Sequence, residues 1–275
     1  MKSMQSKLPL EVNILFEILE ESAYRIRNFF GKTTVNQKKE HDLLTNLDLE
    51  LEDFLASALD SAFPGSFFWG EERGGKIDSV ARSWICDPLD GTNNYAIGLP
   101  LAGSSLVMIE NGQPVLAGLS NAFTNRIYVS KKGQGVFLNR SPFDKQSLRG
   151  QERVAACTGY RVFENISERD KWYDLNDYIS RLKKGRYFHS WAPVIDFDLL
   201  FRGELEALLF YENEIHDLLG GSLIAEELGY EILDAQRKNW SWKVGQNLST
   251  LLITRDKKMD LSAGILQKLR ELKGL

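Results

Sequence analysis

A chain of 275 residues, 43% hydrophobic and 26% charged, has enough apolar content for one large domain or two modest ones. Its formal net charge of -4, with acids and bases intermixed, leaves no basic footprint for nucleic acid, so no such partner is expected. Cys86 and Cys157 are too few for a disulfide framework and point to a reducing cytoplasm.

Glu11, Asn13 and Glu17 interrupt the N-terminal apolar run that a signal peptide needs. No segment approaches the roughly 20 apolar residues of a membrane span, so no membrane association is expected. Val12, Leu15, Phe16, Leu19, Ala23, Ile26 and Phe30 recur at steps of three and four, which predicts a helix ended by Gly31. A second helix carries Leu47, Leu51, Phe54, Leu55, Ala58 and Leu59 on one face. Thr45 or Asn46 caps it, which places Asp48 in its first turn. The residues before Asp42, with Lys38 and Lys39, read as a polar loop.

Pro64-Gly65 turns the chain into the apolar run Phe67-Phe68-Trp69, which stops at Gly70-Glu71-Glu72. Ser83–Cys86 reads as a buried strand running straight into Asp87, and Cys86 as an inert core thiol. Strands are expected at Ser104–Ile109, Val115–Leu119 and Arg126–Ser130. The polar stretch from Ser141 to Arg153 is taken as a domain boundary, giving an N-terminal α+β domain over 1–145 and a C-terminal α/β domain over 146–275. The second half reads as strand Val154–Thr158, helix Glu168–Leu182, strand Arg186–His189, helix Pro193–Gly203 and strand Ala207–Tyr211. Helix Asp217–Leu228 follows, closed by Gly229, then strand Leu251–Thr254 and a last helix capped by Asp260. Strands between helices in this order imply a layered α+β fold.

The densest chemical signal is Asp87-Pro88-Leu89-Asp90-Gly91-Thr92. Two carboxylates so close after an apolar strand repel each other unless a cation lies between them. Pro88 stiffens the turn that aims them, and Gly91 lets the backbone come close to a ligand. Thr92 and Asn93 then offer donors for an anion. Alone, such a segment is compatible with an exposed acidic turn. Glu71 at the end of another apolar run and Asp217 at a helix start favour a shared cation site. Hard oxygen ligands suit Mg²⁺ rather than zinc, for which no His or Cys set stands out.

These segments resemble the inositol monophosphatase family, within the lithium-sensitive, magnesium-dependent phosphatase superfamily. The resemblance rests on Asp42–Asp48, Gly70-Glu71-Glu72, Trp84–Tyr95, Asp217–Gly221 and Glu226–Gly229, in order along most of the chain. It implies an α-β-α-β-α sandwich and a homodimer. It implies two or three Mg²⁺ ions per subunit: one on Glu71, Asp87 and the Leu89 carbonyl, one on Asp87, Asp90 and Asp217, and a looser one near Glu71. Asp48 and Thr92 would help deprotonate a metal-bound water, with Glu71 beside them, and the Gly91 and Thr92 amides would grip phosphate. The substrate implied is a small phosphorylated metabolite, inositol monophosphate first. Alternatives are fructose 1,6-bisphosphate, 3′(2′),5′-bisphosphorylated nucleotides, histidinol phosphate, or a non-catalytic regulatory binding role.

The pattern departs from the family around the substrate. His216 stands where tryptophan commonly precedes the last metal-binding aspartate, and Trp191 where small residues usually line the pocket. Trp191, His216 and Asn93 are therefore expected to face substrate. Ungapped counting puts Phe210 in place of the acid that binds a sugar hydroxyl, with Glu212 and Glu214 near enough to substitute.

Overall fold

The computed structural model of the chain describes residues 8–39, 42–147, 153–158, 166–182, 186–234, 242, 244, 249–255 and 260–274. The apolar stripe at the start forms α1 (Leu10–Phe29), followed by a short antiparallel hairpin of β1 (Val35–Lys39) and β2 (Asp42–Thr45). This hairpin falls where a polar loop is expected; alternation is weak in Val-Asn-Gln-Lys-Lys, and cross-strand pairing supplies the order. α2 (Asn46–Ala62) starts at Thr45, as its capping residues predict.

The first sheet then takes β3 (Phe67–Gly70), β4 (Gly74–Gly75) and β5 (Ser83–Asp90) before the single-turn helix α3 (Thr92–Ala96). It is completed by β6 (Gly103–Glu110), β7 (Gln113–Asn121), β8 (Arg126–Lys131), β9 (Val136–Leu138) and β10 (Ser141–Phe143). The eight strands lie in the order β10-β9-β8-β7-β6-β5-β3-β4, and only the β3–β5 pair is parallel. The polar stretch beginning at Ser141 therefore opens with a strand of this sheet rather than a linker, because Ser141–Phe143 pairs with Val136–Leu138.

The second half contains β11 (Arg153–Thr158), α4 (Ile166–Arg181), β12 (Arg186–Phe188), α5 (Pro193–Phe201) and β13 (Ala207–Tyr211). α6 (Ile215–Glu227), β14 (Glu231–Asp234), β15 (Leu251–Thr254) and α7 (Asp260–Lys273) complete it. Its sheet runs β12-β11-β13-β15-β14. α6 begins two residues before Asp217, so that residue sits inside the first turn rather than at its start.

Strand periodicity separates the layers. Trp84, Cys86, Leu106 and Met108 pack on α1 and α2, while their neighbours Ile85, Val107 and Ile109 point the other way. That second face meets α5 and α6, through Phe197, Leu200, Leu219 and Leu223. Leu208, Phe210, Leu251 and Ile253 close the same cluster from the second sheet. The alternate residues Leu209, Tyr211 and Leu252 pack outward on α4 and α7. The result is an α-β-α-β-α sandwich whose middle helical layer is shared by both sheets. Among the described residues no helix is long and apolar enough to cross a membrane.

Phe210 is fully buried and packs against Phe197 at 5.1 Å between ring centroids. It therefore belongs to the core and cannot stand in for a pocket acid: its place on β13 turns it toward the middle layer. Phe210→Ala is expected to cost about 3–5 kcal/mol of unfolding free energy. Urea denaturation should report this loss, with KM unchanged in the folded fraction.

Candidate metal centre

The acidic residues singled out by the sequence come from four elements. Asp48 lies in the first turn of α2, and its carboxylate Oδ2 accepts the Thr45 N–H at 2.8 Å and the Thr45 hydroxyl at 2.6 Å. Its Oδ1 is 2.7 Å from the Thr92 hydroxyl. Burial pushes the Asp48 carboxyl up to about 6, against the hydrogen bonds from Thr45 and Thr92, and the charge of Glu71 adds to the rise. Thr92 Oγ1 also lies 2.8 Å from the Leu89 carbonyl, so one hydroxyl hydrogen faces two acceptors.

One turn along α2, Glu52 is buried, and its carboxylate accepts the Glu72 and Arg73 N–H groups at 2.8 and 3.1 Å. Those bonds fold the turn after β3 that carries Glu71, and the Glu71 N–H donates to Cys86 O at 3.0 Å. Gly70 is required there: a Cβ would sit 2.3 Å from the Glu52 carboxyl carbon. Sequence reasoning missed Glu52. Its signal was the four-residue step from Asp48, which puts both acids on one face of the helix.

Asp87 and Asp90 close β5, which runs through to Asp90 instead of ending at Cys86, with an irregular register between the two acids. Asp87 Oδ1 accepts the Leu89 N–H at 3.1 Å, and the Ser104 hydroxyl holds Pro88 O at 2.8 Å. Asp90 accepts the N–H of Val194 from the start of α5. Gly91 turns the chain with φ 89°, and a Cβ there would lie 2.5 Å from Leu101 O. Asn93 follows on α3, half-buried. Asn94 donates to Ser190 O at 2.6 Å and so ties α3 to the loop carrying Trp191. Trp191 is 52% exposed with φ 57°, a left-handed conformation that is costly for an aromatic residue.

Asp217 is placed by a reciprocal cap: its Oδ2 accepts the Glu214 N–H at 3.2 Å and Asn213 Nδ2 at 3.3 Å. His216, beside it, is 7% exposed and stacks on Trp69 at 5.5 Å. Glu212, offered by the sequence as a substitute acid, is engaged elsewhere. Its carboxylate takes hydrogen bonds from Lys273 at 2.5 Å, Ser249 at 3.2 Å and Thr250 at 3.3 Å. Burial pushes the Glu212 carboxyl up, but these donors outweigh it and leave it below the ordinary range.

The carboxylates act on one another. Burial raises Asp87 well above the usual carboxylate range, and Glu71, Asp90 and Asp217 raise it further. Asp90 is raised by burial and by Asp217, against the Val194 N–H. Asp217 is raised by burial and by Glu71, partly offset by His216. Glu71 and Asp87 stand within hydrogen-bond reach, which two carboxylates tolerate only by sharing a proton or a cation. A dry cluster of hard oxygen donors around Asp87 and Asp90 fits Mg²⁺.

Comparison with known proteins places this arrangement. The pattern of the inositol monophosphatase family matches residues 11–272. An inositol-1-monophosphatase from Caulobacter vibrioides is 26% identical over 265 residues, covering 93% of this chain and 99% of its own. The extragenic suppressor protein suhB from Bartonella henselae superposes with a TM-score of 0.81 at 18% identity, across 96% of this chain and 99% of that one. A solved IMPase/NADP phosphatase complexed with Mg²⁺ and phosphate gives a TM-score of 0.73 at 20% identity, across 93% of both chains. These neighbours share the α+β sandwich of inositol monophosphatases and fructose-1,6-bisphosphatases. Matched along nearly its whole length, the chain belongs to the inositol monophosphatase family.

Proposed function

We propose that this protein hydrolyses a small phosphomonoester with the aid of Mg²⁺, inositol monophosphate being the leading substrate. The observation that carries the reading is the gathering of buried Asp87 and Asp90 and half-buried Asp217 around Glu71, beside the Asp48–Thr92 pair. The names of the Caulobacter relative and of the Mg²⁺- and phosphate-bound neighbour support it.

In this reading Glu71, Asp87, the Leu89 carbonyl, Asp90 and Asp217 hold the ions. When bound, Mg²⁺ supplies positive charge to the phosphoryl oxygens and makes a neighbouring water easier to deprotonate. The protein's part is positioning and proton transfer. Thr92 donates its hydroxyl hydrogen to the Asp48 carboxylate, leaving an oxygen lone pair to orient the attacking water and receive its proton. The Gly91 and Thr92 amides hold phosphate oxygens where the positive φ of Gly91 turns the backbone. Trp191, exposed at the rim on a loop tied to α3, flanks the leaving alcohol.

A panel of inositol monophosphate, fructose 1,6-bisphosphate, a 3′,5′-bisphosphorylated nucleotide and histidinol phosphate, assayed with Mg²⁺, should give turnover of at least one. No turnover of any would sink the reading. Trp191→Ala should raise KM more than it lowers kcat, and an unchanged KM would remove Trp191 from the substrate face.

Asp48 must be ionised to act, so kcat/KM should fall as pH drops below about 6. Asp48→Asn should lower kcat by about 10²–10⁴-fold and abolish that limb.

The linkage to stability has a definite sign. Asp48, Asp87, Asp90 and Asp217 are all raised in the fold, so their favourable contribution is complete below the unfolded carboxylate range, near 3.8. It is lost as pH rises through the folded values, about 6 for Asp48. Chelated protein should therefore gain more Tm from Mg²⁺ at pH 7.5 than at pH 5. Asp90→Asn should stabilise the chelated protein at pH 7.5 by roughly 1–3 kcal/mol, since it relieves like-charge burial. The same variant should lose the Mg²⁺-dependent gain and most of the activity.

A further inference from the structure

The imidazole of His216 is buried, yet neither ring nitrogen makes a hydrogen bond to any described residue. Among the described residues Nδ1 has no hydrogen-bond partner, and Nε2 stands 3.7 Å from Asp217 Oδ1 and 3.9 Å from Glu71 Oε2. A buried polar group left in that condition is destabilising. The ring is nonetheless held in place. Trp69 stacks on it with a 30° interplanar angle, and its own backbone carbonyl accepts the Ser105 hydroxyl at 3.4 Å.

The ring is aimed into the carboxylates. One donor atom each from Glu71, Asp87 and His216 forms a group lying within 4.8 Å of one another. Two donors on one cation, with bonds near 2.1 Å, stand roughly 3.0–4.2 Å apart according to their angle. The 3.9 Å separation from Glu71 falls in that span, too long for a hydrogen bond and right for a shared ion. Behind the ring, Glu214 Oε2 lies 3.9 Å from Nδ1. Metal-bound histidines commonly carry their hydrogen on the ring nitrogen away from the ion, with a carboxylate beyond it, and Glu214 is the carboxylate on that side here.

We propose that His216 Nε2 is a cation ligand, forming with Glu71 and Asp87 a mixed nitrogen–oxygen position that takes a first-row transition dication such as Mn²⁺, Fe²⁺ or Zn²⁺ in preference to Mg²⁺. Imidazole suits these ions, whereas Mg²⁺ selects oxygen and sheds water reluctantly. The all-oxygen position at Asp87, Asp90 and Asp217 remains suited to Mg²⁺. The proposal rests on the metal-centre reading above and deepens it.

The test loads the full chain with Mn²⁺ and records pulsed EPR. The wild type should show ¹⁴N modulation with imidazole quadrupole parameters. The modulation should vanish in His216→Gln and persist in His189→Gln. Equilibrium dialysis should show the ratio of Mn²⁺ to Mg²⁺ affinity falling about tenfold or more in His216→Gln. Glu214→Gln should keep the modulation while binding Mn²⁺ more weakly. Mn²⁺ bound to the wild type without imidazole coupling, or an unchanged affinity ratio in His216→Gln, overturns the role of His216 and leaves the carboxylate centre standing. No Mn²⁺ binding at all overturns the metal centre and this proposal together. Should His216→Gln fail to fold, the wild-type spectrum decides alone.

Discussion

Like charges held together in a dry place are the constraint on which the rest of this structure depends. Asp87, Asp90 and Asp217 are each raised by burial, Asp217 adds to the rise of the other two, and Glu71 presses on all three. Nothing in the apolar core would assemble them, because each would be better solvated apart. The fold opposes that tendency with backbone donors. Val194 holds Asp90, Glu214 holds Asp217, Leu89 holds Asp87, and Glu52 shapes the turn under Glu71.

The layering explains how four separate elements meet. β3 and β5 are parallel neighbours, so Glu71 and Asp87 leave the sheet at the same end. α5 and α6 lie in the middle layer and pack on both sheets, which brings Val194 and Asp217 to that end from the second half of the chain. α2 covers the opposite face of the first sheet and supplies Asp48 and Glu52 from the buried side of its first turns. The centre is therefore a product of the whole sandwich, not of one loop.

Much of this was legible in the sequence because it is local. The apolar run into Asp87, the helix cap at Thr45 and the acid at Glu71 each announce themselves within a few residues. What was not legible depends on orientation or distant pairing. Ungapped counting placed Phe210 at the substrate, but counting ignores strand parity, and β13 turns that residue into the core. The hairpin of β1 and β2 lacks alternation and exists through pairing alone. The sequence offered no histidine set for a softer ion, since a single His216 becomes suggestive only once α6 swings it over Glu71 and Trp69 pins its ring. Glu212 looked available by proximity, and Lys273 from the far end of the chain engages it.

The Thr92 hydroxyl carries one hydrogen and lies between Asp48 Oδ1 and the carbonyl of Leu89. Its direction is a choice between two oxygens, and a cation on either one would weaken that oxygen as an acceptor. A cation on the Leu89 carbonyl, as in the proposed centre, would tip that hydrogen toward the carboxylate. Filling the site would then also set the proton path, through one rotatable bond.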